Sequence, residues 1–289
     1  MLAFDVTRFH PGKTSMHRSR WRALAAGAAI FAAGPLDAQR SGGAAPGEGA
    51  DLAKQLANPI SSLVSVPFQA NWDFGAGEED PRSVINIQPV MPFRLGRDWS
   101  FIFRLITPLI SQPPVVEGDE THFGVGDLTI ETFVSPARPG TIIWGIGPAL
   151  ALPMSTDPAL GSGKWSAGPT AVALHQGGHW TVGALVTQLW SYAGDDDRDD
   201  VSQTLLQPFL AYAAPKQVTI TLNSETAANW MAEDGQEWTA PVHLQVSKVA
   251  RLGRQPISLL LGGGYFVEKP DGGPDWRLRA AITLLIPEK

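Results

Sequence analysis

From residue 62 onward, hydrophobic and polar residues alternate with a period of two rather than 3.6. The alternation is regular near the end of the chain, where Trp276 and Leu278 alternate with Arg277 and Arg279. A period of two indicates β-strands with one apolar and one polar face. The twelve predicted strands cover residues 63–72, 83–93, 99–110, 124–135, 141–153, 164–175, 180–192, 201–213, 217–226, 238–249, 256–266 and 276–286. Each is close to the length, about 9–11 residues, that a tilted strand needs to cross a bilayer.

Hydrophobic and polar residues also alternate in the strands of soluble β-sandwiches, so three other features decide between a sandwich and a membrane barrel. Most tryptophans lie at or near the ends of predicted strands, where they would form aromatic girdles at headgroup level. Connections after even-numbered strands are short, and those after odd-numbered strands are mostly longer. The longer connections hold most of the 28 acidic residues, with Asp73 and Glu225 assigned to them. All three features are typical of an outer-membrane barrel.

The predicted fold is therefore all-β, a closed antiparallel transmembrane β-barrel of about twelve strands. Its turns on the periplasmic side are short, and its extracellular loops are longer and acidic. Closure is required because the hydrocarbon core offers no partner for unpaired backbone groups. The predicted location is the outer membrane of a Gram-negative bacterium, with outer-membrane lipid, lipopolysaccharide and the barrel-assembly machinery as partners.

The first 38 residues have the three parts of a secretory signal peptide: a basic stretch at 17–22, an apolar run at 23–33 and small residues before a cleavage site after Ala38. An N-terminal membrane anchor is the alternative, although the apolar run has about half of the ~20 residues that a spanning helix needs. Residues 1–15 precede Met16 and are interpreted as a start-site artefact. Residues 39–62 are predicted to be a flexible periplasmic tether with one or two helical turns over 51–57. Residues 63–289 form the predicted barrel.

Composition excludes several classes of function. The 289-residue chain has no cysteine, which excludes disulfides, cysteine-ligated metals and thiol catalysis. Its net charge of -6 argues against a nucleic-acid partner, which would need a basic surface. No metal or other cofactor is predicted. The acidic run at 195–200 lacks the ligand spacing of a calcium loop and is interpreted as a solvated extracellular loop that repels lipopolysaccharide or bridges to it through divalent ions.

Strand parity places a set of polar and charged side chains on the face away from lipid. A charge facing lipid near mid-bilayer would cost about 2–4 kcal/mol, so these side chains belong in the lumen. The candidate lumen residues are Gln69, Asn71, Arg104, Glu131, His243, Arg277 and Arg279. Arg104 and Glu131 lie on neighbouring predicted strands and are expected to pair. Two roles remain open for such a pair: a constriction that selects solutes by charge, or an ion pair that only holds the lumen together.

Catalysis is not predicted, although some outer-membrane barrels are lipases or deacylases that use serine and histidine. His243 is the histidine in mid-strand, and Ser247 lies about 13 Å away along an extended strand, too far for a hydrogen bond. Such enzymes place the pair on the lipid-facing side, where parity does not place His243.

Several short motifs occur in a characteristic order along residues 57–289. They are ANPI at 57–60, SVPFQ at 65–69, GVGD at 124–127, WGIGP at 144–148, GKWSAGP at 163–169, and GDDD at 194–197 with QPF at 207–209. In this order and spacing they resemble the bacterial outer-membrane proteins of the MetA-pathway of phenol degradation family. The resemblance implies a barrel that passes small solutes, with aromatic and apolar compounds as candidates. It implies no catalytic residues.

The predicted function is that of an outer-membrane channel for passive uptake or efflux of small solutes. Twelve strands lie between the filled eight-stranded barrels and the open sixteen-stranded porins, so a narrow lumen is expected. If inward side chains or residues 39–62 block it, an apolar solute would need a lateral opening or a gated constriction. The alternative is a non-conducting barrel with a structural or surface-binding role.

Overall fold

A computed structural model describes residues 48–76, 80–114 and 120–286 of the chain. The predicted signal peptide and the first part of the predicted tether, residues 39–47, lie outside the described residues. The described residues form one α-helix, two short 3-10 helices and the strands of a single sheet. No helix among them is long and apolar enough to cross a membrane.

The helix α1 spans Glu48–Leu56 and precedes the strands. The strands are β1 Val64–Phe74, β2 Arg82–Ile87 and Val90–Leu95, β3 Trp99–Gln112, β4 His122–Val125 and Leu128–Pro136, β5 Ile142–Leu152, β6 Lys164–Gly177, β7 Trp180–Gly194, β8 Ser202–Ala214, β9 Val218–Ser224 and Thr226–Asn229, β10 Trp238–Leu252, β11 Gln255–Glu268 and β12 Trp276–Ile286. Three strands, β2, β4 and β9, are thus interrupted for one or two residues. The 3-10 helices are Pro158–Leu160 and Pro215–Gln217.

The sheet closes on itself. Each strand pairs antiparallel with its neighbours in sequence, and β12 pairs with β1 from Val64 opposite Ile286 to Phe74 opposite Trp276. The predicted closed antiparallel barrel of twelve strands is therefore confirmed. Closure leaves no sheet edge, so the ladder satisfies the backbone groups that hydrocarbon would leave unpaired.

The outer and inner faces follow the predicted parity. On β12, Trp276, Leu278 and Ile282 are exposed on the outside, whereas Arg277 and Arg279 are buried inside. Exposed tryptophans lie at both ends of the wall, at the periplasmic starts of β3 and β7 and at the extracellular starts of β10 and β12. They form the two aromatic girdles of a membrane barrel.

The segment before β1 folds into the periplasmic end of the barrel. Leu52 and Ala53 of α1 are buried against Leu63, Val249 and Leu285. After α1 ends, the side chain of Asn58 accepts a hydrogen bond from the backbone N–H of Ile60, and Ile60 packs on lumen-facing residues of β3, β4, β6 and β7. Residues 48–62 of the predicted flexible tether are therefore packed, because α1 has an apolar side that the lumen covers.

Candidate functional site

The lumen encloses a cavity of about 310 Å³. Hydroxyl and amide side chains of β8 to β12 form one wall, and Val90, Leu185 and Phe209 form part of the other. The end of α1 and residues 57–63 form the floor on the periplasmic side. The cavity thus has a polar wall, an apolar wall and a floor made by a segment that is not part of the sheet.

Two arginines of β12 form ion pairs with acidic side chains in the lumen. Nη1 and Nη2 of Arg279 donate to the two carboxylate oxygens of Glu225 at 2.6 and 2.7 Å, and its Nε donates to Oδ1 of Asn71 at 2.7 Å. Nη2 of Arg277 donates to Oδ2 of Asp73 at 2.7 Å, and its Nη1 lies 3.6 Å from Glu225. Such bidentate, charge-assisted bonds are among the strongest hydrogen bonds in proteins.

Asp73 and Glu225 were assigned to the extracellular loops from the sequence, and that assignment is wrong. Asp73 lies within β1, which continues to Phe74, and its side chain faces the lumen. Glu225 occupies the break in β9, and its side chain borders the cavity. Both acids therefore belong to the lumen site, where they neutralise the two arginines of β12.

Glycines on β11 make room for this network. A Cβ atom at Gly264 would lie 2.2 Å from Cδ2 of His243, and one at Gly262 would lie 2.7 Å from Cγ of Gln245. Real Cβ atoms do not approach that closely, so larger residues on β11 would displace the neighbouring side chains. Because these glycines have no side chains on the lumen face of β11, Arg279 on β12 can reach across it to Glu225 on β9.

A second network crosses the opposite wall. Nη1 of Arg104 donates to Oε2 of Glu131 at 3.1 Å, and its Nη2 donates to Oε1 of Gln88 at 2.9 Å. The other carboxylate oxygen of Glu131 accepts a hydrogen bond from Oγ1 of Thr187 at 2.8 Å. Thr187 in turn lies 2.7 Å from Oγ1 of Thr170. Thr187 and Thr170 were not among the residues singled out from the sequence, since threonine at a lumen position has no distinctive pattern.

The structure divides the seven candidate residues into three groups. Gln69, Arg104 and Arg279 border the cavity. Asn71 and Glu131 hold the two arginines through the hydrogen bonds described above. Arg277 and His243 lie outside the cavity wall and nearer the extracellular end, and both are buried. Neither ring nitrogen of His243 has a hydrogen-bond partner among the described residues.

At the extracellular end of the lumen, the connection between β5 and β6 folds inward; this connection, residues 153–163, is called here the mouth loop. Leu160 of this loop is buried against Val84 and Ile110, which face the lumen. Oδ2 of Asp127 accepts hydrogen bonds from N and Oγ of Ser162 at 2.6 and 2.7 Å. Nη2 of Arg198, from the next extracellular loop, donates to the carbonyl of Gly161. No pattern in the sequence predicts this inward fold.

Two surface carboxylates strengthen the mouth loop. Asp157 accepts a hydrogen bond from the backbone N–H of Ala159 at 2.8 Å, and its other oxygen lies 2.8 Å from Nδ1 of His122. These contacts, the backbone N–H first, lower the pKa of Asp157 below its usual value. Asp200 is held in the same way by Lys164 and then by Ser191, which lower its pKa. The ionised carboxylates are thus the forms that hold the loop in place.

Metal binding has little support from the arrangement of side chains. Within residues 48–76, 80–114 and 120–286, no group of three or more histidine, aspartate or glutamate side chains is placed to hold a metal ion. In the acidic run at 195–200, the side chain of Asp195 accepts a hydrogen bond from the backbone N–H of Asp197, and Arg198 turns toward the mouth loop.

Comparison with known proteins shows likeness in structure rather than in sequence. No protein-family model matches the chain, and no curated protein matches it. The fold is similar to that of an outer membrane channel from Pseudomonas putida F1, with a TM-score of 0.57 and 17% identity over 78% of this chain and 94% of that chain. Outer membrane phospholipase A from Escherichia coli matches with a TM-score of 0.45 and 10% identity over 83% of this chain and 98% of that chain.

These matches concern the fold alone, so the resemblance to the phenol-degradation family stays a prediction. The closed antiparallel sheet of this chain is the feature that the match to the Pseudomonas putida protein concerns. The protein is a transmembrane β-barrel of the outer membrane, surrounded by lipid.

Proposed function

We propose that this protein is a passive channel for small solutes, whose lumen is closed at rest and opens by movement of the mouth loop or of α1. The observation that carries the proposal is the lumen cavity of about 310 Å³, whose floor is the end of α1 and residues 57–63, a segment that is separate from the barrel wall. Either direction of transport is compatible with a passive channel, and aromatic or apolar compounds are the candidate solutes.

The mouth loop is the closure that moves with least disturbance of the barrel. Its contacts are Leu160 in an apolar pocket and hydrogen bonds with Asp127, Arg198, His122 and Val125. The wall, in contrast, is held by the complete strand ladder and by the ion pairs of Arg104 and Arg279. The similarity to the fold of a known outer membrane channel supports the same role.

A disulfide across the mouth loop tests the proposal. An ideal Cβ atom at Gly124 would lie 3.5 Å from Cβ of Thr156, within the range of about 3.5–4.5 Å that disulfides require. The chain has no cysteine, so a Gly124→Cys, Thr156→Cys double variant has only this pair to oxidise. In planar bilayers the reduced protein should show discrete small conductance steps, oxidation should suppress them, and reductant should restore them. Thr156→Cys alone serves as the control and should not respond to oxidant.

Other outcomes would overturn the proposal. Conductance that is wide, unselective and indifferent to oxidation would contradict a closure by the mouth loop. A folded barrel that is silent in every state would instead support the alternative, a non-conducting structural or surface-binding protein, which the two closed ends also allow. Binding to lipopolysaccharide and recognition by the barrel-assembly machinery remain predictions.

A further inference from the structure

We infer that the lumen cavity binds uncharged organic solutes that carry both an apolar part and a hydrogen-bonding group, and that it binds organic ions of either sign more weakly. This inference rests on the proposed function, because it names the class of solute that the channel passes. It follows from the way in which the charged and the neutral groups of the cavity wall are partnered.

The charged groups that border the cavity are already neutralised. Arg279 uses its Nε and both terminal nitrogens on Asn71 and Glu225, and Glu225 uses both oxygens on Arg279. Arg104 donates to Glu131 and to Gln88. A charged solute would have to leave water and compete with these internal partners, so it would not recover its desolvation cost.

The neutral polar groups are, by contrast, available. Across the part of the chain that the structure describes, the cavity-lining side chains of Gln69, Gln207, Thr221, Ser247 and Ser258 make no hydrogen bond to the protein. Amides and hydroxyls each donate and accept hydrogen bonds. A solute that enters must match them, so hydroxyl, carbonyl and amide groups are favoured over a purely aliphatic molecule.

The apolar surface and the size of the cavity define the apolar part of the solute. Phe209 and Leu185 present apolar surface to the cavity, and Gln207 and Phe209 occupy successive lumen positions of β8. One side chain of β8 therefore offers a hydrogen bond beside a ring that offers a stacking surface. A volume of about 310 Å³ lies at the lower end of the range of about 300–1,000 Å³ for small-molecule pockets, so the cavity suits a small solute with a ring.

Benzamide, benzoate and benzylamine test the inference, since they share a ring and differ in charge at neutral pH. Binding is measured by titration calorimetry on the refolded barrel in detergent, at ligand concentrations up to the millimolar range. We expect benzamide to bind at least tenfold more tightly than either ion. Gln207→Leu should weaken benzamide binding about tenfold, whereas Gln203→Leu should leave it unchanged. Gln203 is a matched control because it faces the lumen from the same strand but does not border the cavity.

A charge placed in the cavity provides a second variant. Gln207→Glu keeps the shape of the side chain, and it should weaken benzamide binding and create binding of benzylammonium. Equal binding of all three compounds, no binding of benzamide to the folded protein, or an equal effect of the Gln203 and Gln207 variants would overturn the inference. Selective binding with neither conductance nor entry of benzamide into vesicles that contain the barrel would leave the inference standing and refute the channel. Entry of benzoate into such vesicles as fast as benzamide would do the reverse.

Discussion

Replacing Glu225 with glutamine measures how strongly the lumen ion pairs stabilise the barrel. The substitution keeps the size of the side chain but removes the negative charge that Arg279 contacts at 2.6 and 2.7 Å and Arg277 at 3.6 Å. The two buried guanidinium groups would then lose the carboxylate that both of them contact. Removing one partner of a buried ion pair costs about 3–5 kcal/mol. Because 17% of the Glu225 side chain is accessible, the loss should lie near the lower value, about 3 kcal/mol.

The assay is guanidinium unfolding of the barrel in lipid vesicles, followed by tryptophan fluorescence. Arg279→Met and the double variant with Glu225→Gln complete a cycle, and the double variant should lose about 1–3 kcal/mol less than the sum of the single variants. Asp98→Asn is the control, because Arg138 contacts Asp98 at 2.7 Å in a pair whose side chains are 83% and 68% exposed. Breaking that exposed pair should cost less than about 1 kcal/mol.

Two results would refute this reasoning. If Glu225→Gln costs no more than Asp98→Asn, water screens the lumen charges, and the argument that ions are excluded from the cavity also fails. If the losses in the cycle are additive, Glu225 and Arg279 act through their neighbours and not as a pair.

Three further predictions concern the closures and the packing of the lumen. The contacts of Asp157 lower its pKa, so they are complete above the usual pKa of 3.8 and are lost as the pH falls through the lowered pKa. Conductance should therefore rise only below about pH 3.8. Asp157→Asn removes the negative charge and should raise conductance at neutral pH. Gly264→Ala should destabilise the barrel by about 1–3 kcal/mol in guanidinium unfolding, whereas Gly263→Ala, whose added Cβ would lie 3.6 Å from its nearest neighbour, should have little effect. Leu52→Glu should release α1 and increase conductance in bilayers, whereas the same substitution at exposed Lys54 should not.

Strand parity was sufficient to predict the wall and much of the lumen. Because side chains alternate strictly along a strand, a residue once assigned to a strand is also assigned to a face. The expected pair shows this directly, since Arg104 and Glu131 are partners in the register of β3 and β4. A sequence pattern thus predicts contacts between neighbouring strands, but not between distant ones.

Contacts between distant strands depend on the curvature of the closed sheet and had no pattern in the sequence. Glu225 reaches Arg279 from three strands away, across the flat surface that Gly262 and Gly264 provide. The break of β9 at Glu225 and the extension of β1 past Asp73 moved both acids from the predicted loops into the lumen. These shifts are only a few residues, yet they determine which charges the lumen contains.

The two ends of the lumen differ in what the sequence predicts: residues 39–62 are a candidate to block it, whereas the inward fold of the mouth loop has no pattern in the sequence. A helix as short as α1 is stable only through packing, so its sequence alone predicted no more than one or two turns. The inward fold of the mouth loop depends on Leu160 finding the pocket at Val84 and Ile110, which exists only after the barrel has closed. The alternation of hydrophobic and polar residues predicts strands, and it gives no information about the connections between them.

The distribution of these contacts limits how the channel opens. Separating two strands would expose unpaired edges to hydrocarbon and, near β9 to β12, would also strain the bond between Glu225 and Arg279. Displacing the mouth loop breaks its hydrogen bonds with Asp127, Arg198, His122 and Val125 and exposes Leu160. Bonds to charged groups contribute about 1.5–3 kcal/mol each, so the two bonds to Asp127 and the bond from Arg198 alone give an opening cost of at least about 4.5 kcal/mol and an open fraction below about 0.1 per cent. Brief, rare conductance steps are therefore the expected behaviour of the unmodified channel, and prolonged open states should appear only when the loop contacts have been removed.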